Sequence, residues 1–165
     1  MGRLNLGNGA DFVGGTGGYL SDAPAGTIIQ VVTGTIGETN VAQNTTATVL
    51  NNAQFTPKTS NSILLFNICW NNVTGTPSAS NVARYYFGTS STYSDNTNIA
   101  TYNMNVRGSG STDIIQTSHI IRGQTTSNTS LNYFTIRITE ASNSSQLVIG
   151  RHSSSSEYVI MEIAQ

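Results

Sequence analysis

Charge is what this chain has least of. Lys and Arg together number seven and Asp and Glu eight, which is 9% of the 165 residues, and the net charge is -1. A nucleic-acid footprint needs clustered basic side chains and a membrane-surface patch needs a polybasic run, so neither nucleic acid nor membrane insertion is expected. Cysteine is nearly absent. Cys69, inside "SILLFNICW", has no second thiol to pair with, which excludes an intrachain disulfide framework and leaves a buried structural thiol as the expectation. No apolar run approaches the ~20 residues that span a bilayer. The first residues also lack the basic region and apolar core of a signal peptide, so synthesis in a cytoplasm without a visible secretion signal is expected.

Histidine is scarce too, and with it the usual chemistry of sites. His119 and His152 stand alone in "TSHIIR" and "GRHSSS" without a second ligand at short spacing, so no metal is assigned and a satisfied or exposed strand histidine is the expectation for each. Serine is abundant, but no G-x-S-x-G places one on a nucleophile turn. The scattered acids Asp95, Asp113, Glu140, Glu157 and Glu162 form no recognisable catalytic pair. Glu140 and Glu162 are expected at strand edges or paired with arginines among Arg84, Arg107, Arg122, Arg137 and Arg151. No catalytic residue and no cofactor are assigned, and the chain reads as a non-enzyme. Six Arg against one Lys favours planar, bidentate contacts at interfaces, with solvent-facing strand positions as the alternative.

What is present in quantity is Ser, Thr and Asn mixed with β-branched and aromatic residues. Nine short β-runs follow one another without a helical period: Thr27 to Thr33, Ala47 to Phe55 with an interruption at Asn51-Asn52, Ser62 to Trp70, Ala83 to Gly88, Ile99 to Val106, Asp113 to Arg122, Leu131 to Glu140, Gln146 to Arg151 and Tyr158 to Ala164. So many short strands in one small domain predict a sandwich or barrel. The loops "TGTPSASN", "GSGS", "GQTTSNTS" and "SSSS" have turn chemistry. In "LNYFTIRITE", alternation assigns Phe134, Ile136 and Ile138 to the core. "SILLFNICW" and "EYVIMEIAQ" are apolar on both faces, which predicts strands covered on both sides, between sheets or between subunits.

Gly7 to Gly26, "GNGADFVGGTGGYLSDAPAG", differs from the rest. Its glycines have neither the spacing of a dinucleotide fingerprint nor the lysine of a phosphate-binding loop. Residues 1–23 are therefore read as an extended, Gly-rich docking arm ahead of a β-domain over 24–165. Phe12, Val13, Tyr19 and Leu20 are its candidate anchors, and the glycines would let the backbone run close along a neighbour. "ARYYFGTS" offers an aromatic platform or a core strand, and Tyr85, Tyr93 and Arg107 are the candidates for surface recognition.

Three phrases, "PAGTIIQVV", "FTPKTSNSILLF" and "EYVIMEIAQ", carry a resemblance. Pro24, Gly26 and Thr27, then Thr56, Pro57 and Ser62, then Met161, Glu162 and Ile163 match recurring motifs, and the chain from Pro24 to Gln165 resembles small tail-fibre-like or head-decorating structural proteins of tailed bacteriophages, of the marine and cyanobacterial type. The resemblance implies a jelly-roll-like antiparallel β-sandwich, usually a homotrimer, on the virion surface, with no catalytic residues to transfer. It implies a capsid decoration, or cement, protein whose arm docks on the major capsid protein or other virion subunits. With only a short stretch ahead of the domain, attachment is expected to use that stretch. A tail-fibre or spike module reading host surface glycans through its polar loops is the alternative, and a depolymerase a third reading.

Overall fold

The computed structural model describes residues 3–5, 11–13, 19–21, 23–42, 45–73, 81–104, 115–125, 129–139, 147–149 and 155–165. Three short strands, β1 (Arg3–Asn5), β2 (Asp11–Val13) and β3 (Tyr19–Ser21), pair with one another as an antiparallel sheet in that order. Within the N-terminal segment β1 pairs back on β2 and β2 on β3. Next come β4 (Ile28–Ile36), β5 (Thr39–Val41), β6 (Thr46–Phe55), β7 (Ile63–Val73), β8 (Asn81–Gly88), β9 (Thr97–Met104), β10 (Ile115–Thr125), β11 (Asn132–Thr139), β12 (Leu147–Ile149) and β13 (Ser156–Ile163). All nine runs expected from the sequence form strands. β5, only three residues long and paired with β12, is an addition, as are β1, β2 and β3.

Eight of these strands build two four-stranded sheets, β10-β7-β13-β4 and β6-β11-β8-β9. Counted 1 to 8 in chain order, they pair 1 with 8, 2 with 7, 3 with 6 and 4 with 5, as a long hairpin does when it is rolled up. That double Greek key is a jelly-roll-like antiparallel β-sandwich. Its edge strands are β10 and β4 in one sheet, β6 and β9 in the other.

Alternation decides what each strand buries. On β7, Leu64, Phe66, Ile68 and Trp70 are wholly buried, while Leu65, Asn67 and Cys69 point to the other face and are half-buried. Cys69 is thus a free, half-buried thiol on the outward face, not the core thiol expected, because Trp70 takes the inward position beside it. Phe134, Ile136 and Ile138 are fully buried, as their alternation predicts. Phe66 packs on Phe134 at 4.9 Å and edge-on to Phe87 at 5.3 Å. Each such side chain contributes about 1.5–3 kcal/mol by leaving water.

Glu162 overturns an expectation. β13 lies between β7 and β4, so the residue is neither at an edge nor, among the described residues, paired with an arginine, and it is 0% exposed, while Glu140 lies outside the described residues. Its carboxylate accepts the backbone N–H of Lys58 (2.9 Å to Oε2) and Thr59 (3.1 Å to Oε1) and the Ser62 hydroxyl at 2.7 Å. With its amide nitrogen turned to the carboxylate, Gln30 adds a donor at 3.0 Å. Charge-assisted bonds of this kind offset the cost of burying the carboxylate. They tie the β6–β7 turn, where Asn61 has φ 65°, to the last strand. Nearby, Gly26 N–H donates to the Ala164 carbonyl at 2.8 Å and Ala164 N–H to Thr27 at 2.9 Å. The three phrases that carry the sequence resemblance therefore meet at one structural lock.

Candidate functional site

Three places in the sandwich concentrate chemistry: a buried cluster at the β9/β10 side, the outward face of the β6-β11-β8-β9 sheet, and the outward face of the other sheet. The first is built from Trp70, Tyr85, Tyr102 and His119. Tyr85 is 0% exposed, because Ala83 and Tyr85 take the inward positions of β8 while Arg84 and Tyr86 take the outward ones. The expectation that Tyr85 serves surface recognition is thereby corrected. The Trp70 Nε1–H is shared between the Tyr85 hydroxyl and His119 Nδ1, each at 3.2 Å, and the Tyr85 hydroxyl is itself hydrogen-bonded to Nδ1. Since indole only donates, Nδ1 is an acceptor, Tyr85 is its phenolic donor, and the imidazole is neutral with its proton on Nε2.

The electrostatics agree with a neutral imidazole. Burial pushes the His119 imidazole down to about 4 from 6.5 and lifts the Tyr85 phenol above its ordinary range. The Tyr102 ring stacks on His119 at 4.6 Å and its hydroxyl donates to the Ile120 carbonyl at 2.8 Å. This cluster joins two edge strands of opposite sheets. Trp70, Tyr85 and His119 are buried and hydrogen-bonded to one another, and Tyr102 covers them from the half-buried side, an arrangement that holds a fold together. Nor do three His, Cys, Asp or Glu residues gather as metal ligands among the described residues.

The second place is polar and aromatic. Arg137 on β11 and Arg84 on β8 are direct cross-strand partners, and the row continues to Thr48 on β6 and Thr101 on β9. Arg84 Nη1 donates to the Thr139 hydroxyl at 2.8 Å, and Arg137 Nη1 donates to the Tyr93 hydroxyl. The Arg137 guanidinium carbon also lies 4.2 Å from the centre of the Tyr93 ring, a cation–π contact. Tyr93, in a 3-10 turn at Tyr93–Asp95, is half-buried and meets Tyr86 edge-on at 5.3 Å. Of the surface-recognition candidates, Tyr93 alone joins this face. Arg107 lies outside the described residues. Arg84, Tyr86 and Arg137 were not singled out together, although the alternation in "ARYYFGTS" places Arg84 and Tyr86 on one face.

The third place is apolar. Arg122, Leu65, Met161 and Val31 form one transverse row across β10, β7, β13 and β4. Val31 is 54% and Ile120 56% exposed. Asn67 Oδ1, on the same face, is buried without a hydrogen-bond partner among the described residues. Among the arm anchors, Phe12 sits opposite Leu4 and Leu20, and Val13 opposite Arg3 and Tyr19, in the register of the N-terminal sheet.

No protein-family model and no curated protein matches this sequence. Solved structures match it in shape. The infectious bursal disease virus VP2 subviral particle has a TM-score of 0.50 at 13% identity, over 99% of this chain and 37% of that one. Structures of the Gx and Gt strains of the same virus have TM-scores of 0.45 and 0.43 at 13% and 12% identity, each over 43% of those chains. The chain spans less than half the length of these neighbours, and at such identity the likeness is one of fold.

Proposed function

We propose that this chain is a non-enzymatic structural subunit of a virion surface, and specifically a capsid decoration protein of a tailed phage. The observation that carries the reading is the apolar outward face of the β10-β7-β13-β4 sheet on a jelly-roll framework. Leu65, Met161 and Val31 in one row, with Ile120 exposed beside them, make a surface suited to being covered by another subunit. The fold it shares with the VP2 subviral particle is in keeping with a shell component. In this reading the chain is a homotrimer, and the segment over residues 1–23, with Phe12, Val13, Tyr19 and Leu20, docks on the major capsid protein. Many moderate contacts repeated over a shell then act together.

The test is imaging of intact particles that carry the chain. Regular copies over the head, with the N-terminal segment against capsid subunits, are expected. Density confined to tail or fibre tips would instead favour a receptor-binding module reading host glycans, and absence from particles would end the virion reading. Deleting residues 1–23 should leave a folded sandwich that no longer attaches.

A further inference from the structure

We propose that the outward face of the β6-β11-β8-β9 sheet binds a saccharide carrying an oxyanion, a carboxylate or sulfate, with Arg84 and Arg137 holding the anion and Tyr86 and Tyr93 lining it. This goes beyond the packing role above and does not depend on where the chain resides.

Charge placement is the starting point. Like charges directly opposite on neighbouring strands disfavour a sheet, yet Arg84 and Arg137 are paired in register on its two central strands. Nothing in those strands compensates them, because β6, β8, β9 and β11 contain no Asp or Glu at all. Both arginines are half-buried, where solvent and salt screen less than at an exposed site, and their bonded acceptors are the neutral hydroxyls of Thr139 and Tyr93. Arg137 Nε is buried with no partner among the described residues. A guanidinium has five N–H donors in a planar fork that matches an oxyanion two bonds at a time. An oxyanion drawn to the pair offsets the repulsion and takes up the N–H donors that Thr139 and Tyr93 leave unused. The Tyr93 hydroxyl already shows an oxygen acceptor in that role.

The surroundings select what carries the anion. Thr48 and Thr101 close the row at either end as exposed hydroxyls, Asn98 donates to Thr101 at 3.2 Å, and the Tyr86 and Tyr93 rings stand beside the arginines. One concentrated charge recognition amid neutral hydrogen-bonding groups and aromatic rings fits an acidic sugar. Two basic residues are too few to track a phosphate backbone, and a polyacidic peptide would find no further cations on these strands.

Titration calorimetry on the full chain at low ionic strength tests this with glucuronate, glucose, inorganic sulfate and a tetraglutamate peptide. Glucuronate should bind at least about tenfold more tightly than glucose and than sulfate. Arg84→Gln and Arg137→Gln should each weaken glucuronate by about tenfold or more. Arg84→Gln should leave the unfolding midpoint unchanged or raised, since it removes a like-charge pair, so its lost binding is not lost folding. Equal affinity for glucose and glucuronate, no binding of glucuronate, sulfate binding as tightly as glucuronate, unchanged binding in Arg84→Gln, or tighter binding of tetraglutamate would each overturn the proposal.

Discussion

Lowering the pH should destabilise this protein through one imidazole. His119 is neutral when folded because Nδ1 accepts hydrogen bonds from Trp70 and Tyr85, and burial holds it down to about 4. The other groups packed on it, Tyr85 and Tyr102, are phenol rings, and neither brings a carboxylate to the imidazole. Above pH 6.5 neither the folded nor the unfolded chain binds the proton, and stability does not depend on it. Between 6.5 and about 4 the unfolded chain takes up a proton that the folded one refuses, so stability falls with pH by up to about 1.4 kcal/mol per unit. Two and a half pH units at that slope bound the loss at about 3.4 kcal/mol, and solvent screening at the partly accessible ring lowers it to about 1–3 kcal/mol, or roughly 2–12 °C in Tm for a domain of this size. Below about 4 this contribution is exhausted. His119→Asn keeps an acceptor near the Nδ1 position and cannot titrate. Urea unfolding of both proteins across this range should give curves that run parallel above 6.5 and converge below it, the wild type losing stability the variant keeps. Curves parallel to within about 0.5 kcal/mol over the whole range would refute a neutral, buried His119.

Other substitutions probe other parts of the fold. Glu162→Gln should lower stability by about 1–3 kcal/mol in urea unfolding, because one carboxylate oxygen serving the Lys58, Thr59 and Ser62 donors is replaced by an amide nitrogen. Gly34→Ala should cost about 1–3 kcal/mol in thermal unfolding, since a Cβ there overlaps the Tyr158 ring that lies across from it. Val31→Asp, 54% exposed on the apolar outward face, should lower the unfolding midpoint only slightly yet abolish particle attachment, read by co-sedimentation with particles.

Much of the sandwich was legible from local pattern. The alternation of "LNYFTIRITE" placed Phe134, Ile136 and Ile138 inside, and the two-faced apolar runs marked β7 and β13, which lie at the centre of their sheet with an apolar outward face. β5 was missed because three residues are too few to show a period and its pairing with β12 is long-range. The glycines of the first segment pointed to an extended arm and hid β1, β2 and β3, whose three-residue strands exist through pairing. Cys69 and Tyr85 were each assigned to the wrong face, although Trp70 beside the one and Arg84 beside the other hold the sign of the alternation.

The sites were less legible than the strands. Tyr85, Trp70 and His119 lie on three strands from both sheets, and Glu162 meets its donors a hundred residues away in sequence. Arg84 and Arg137 become a pair only through the register of β8 against β11.

Composition, alternation and turn residues therefore specify which segments become strands and which of their residues share a face, because each depends on residues adjacent in the chain. The order of the strands, the buried imidazole, the carboxylate lock and the arginine pair come from the tertiary structure. They are created by contacts between segments whose registers are set only when the sheets close on a common core.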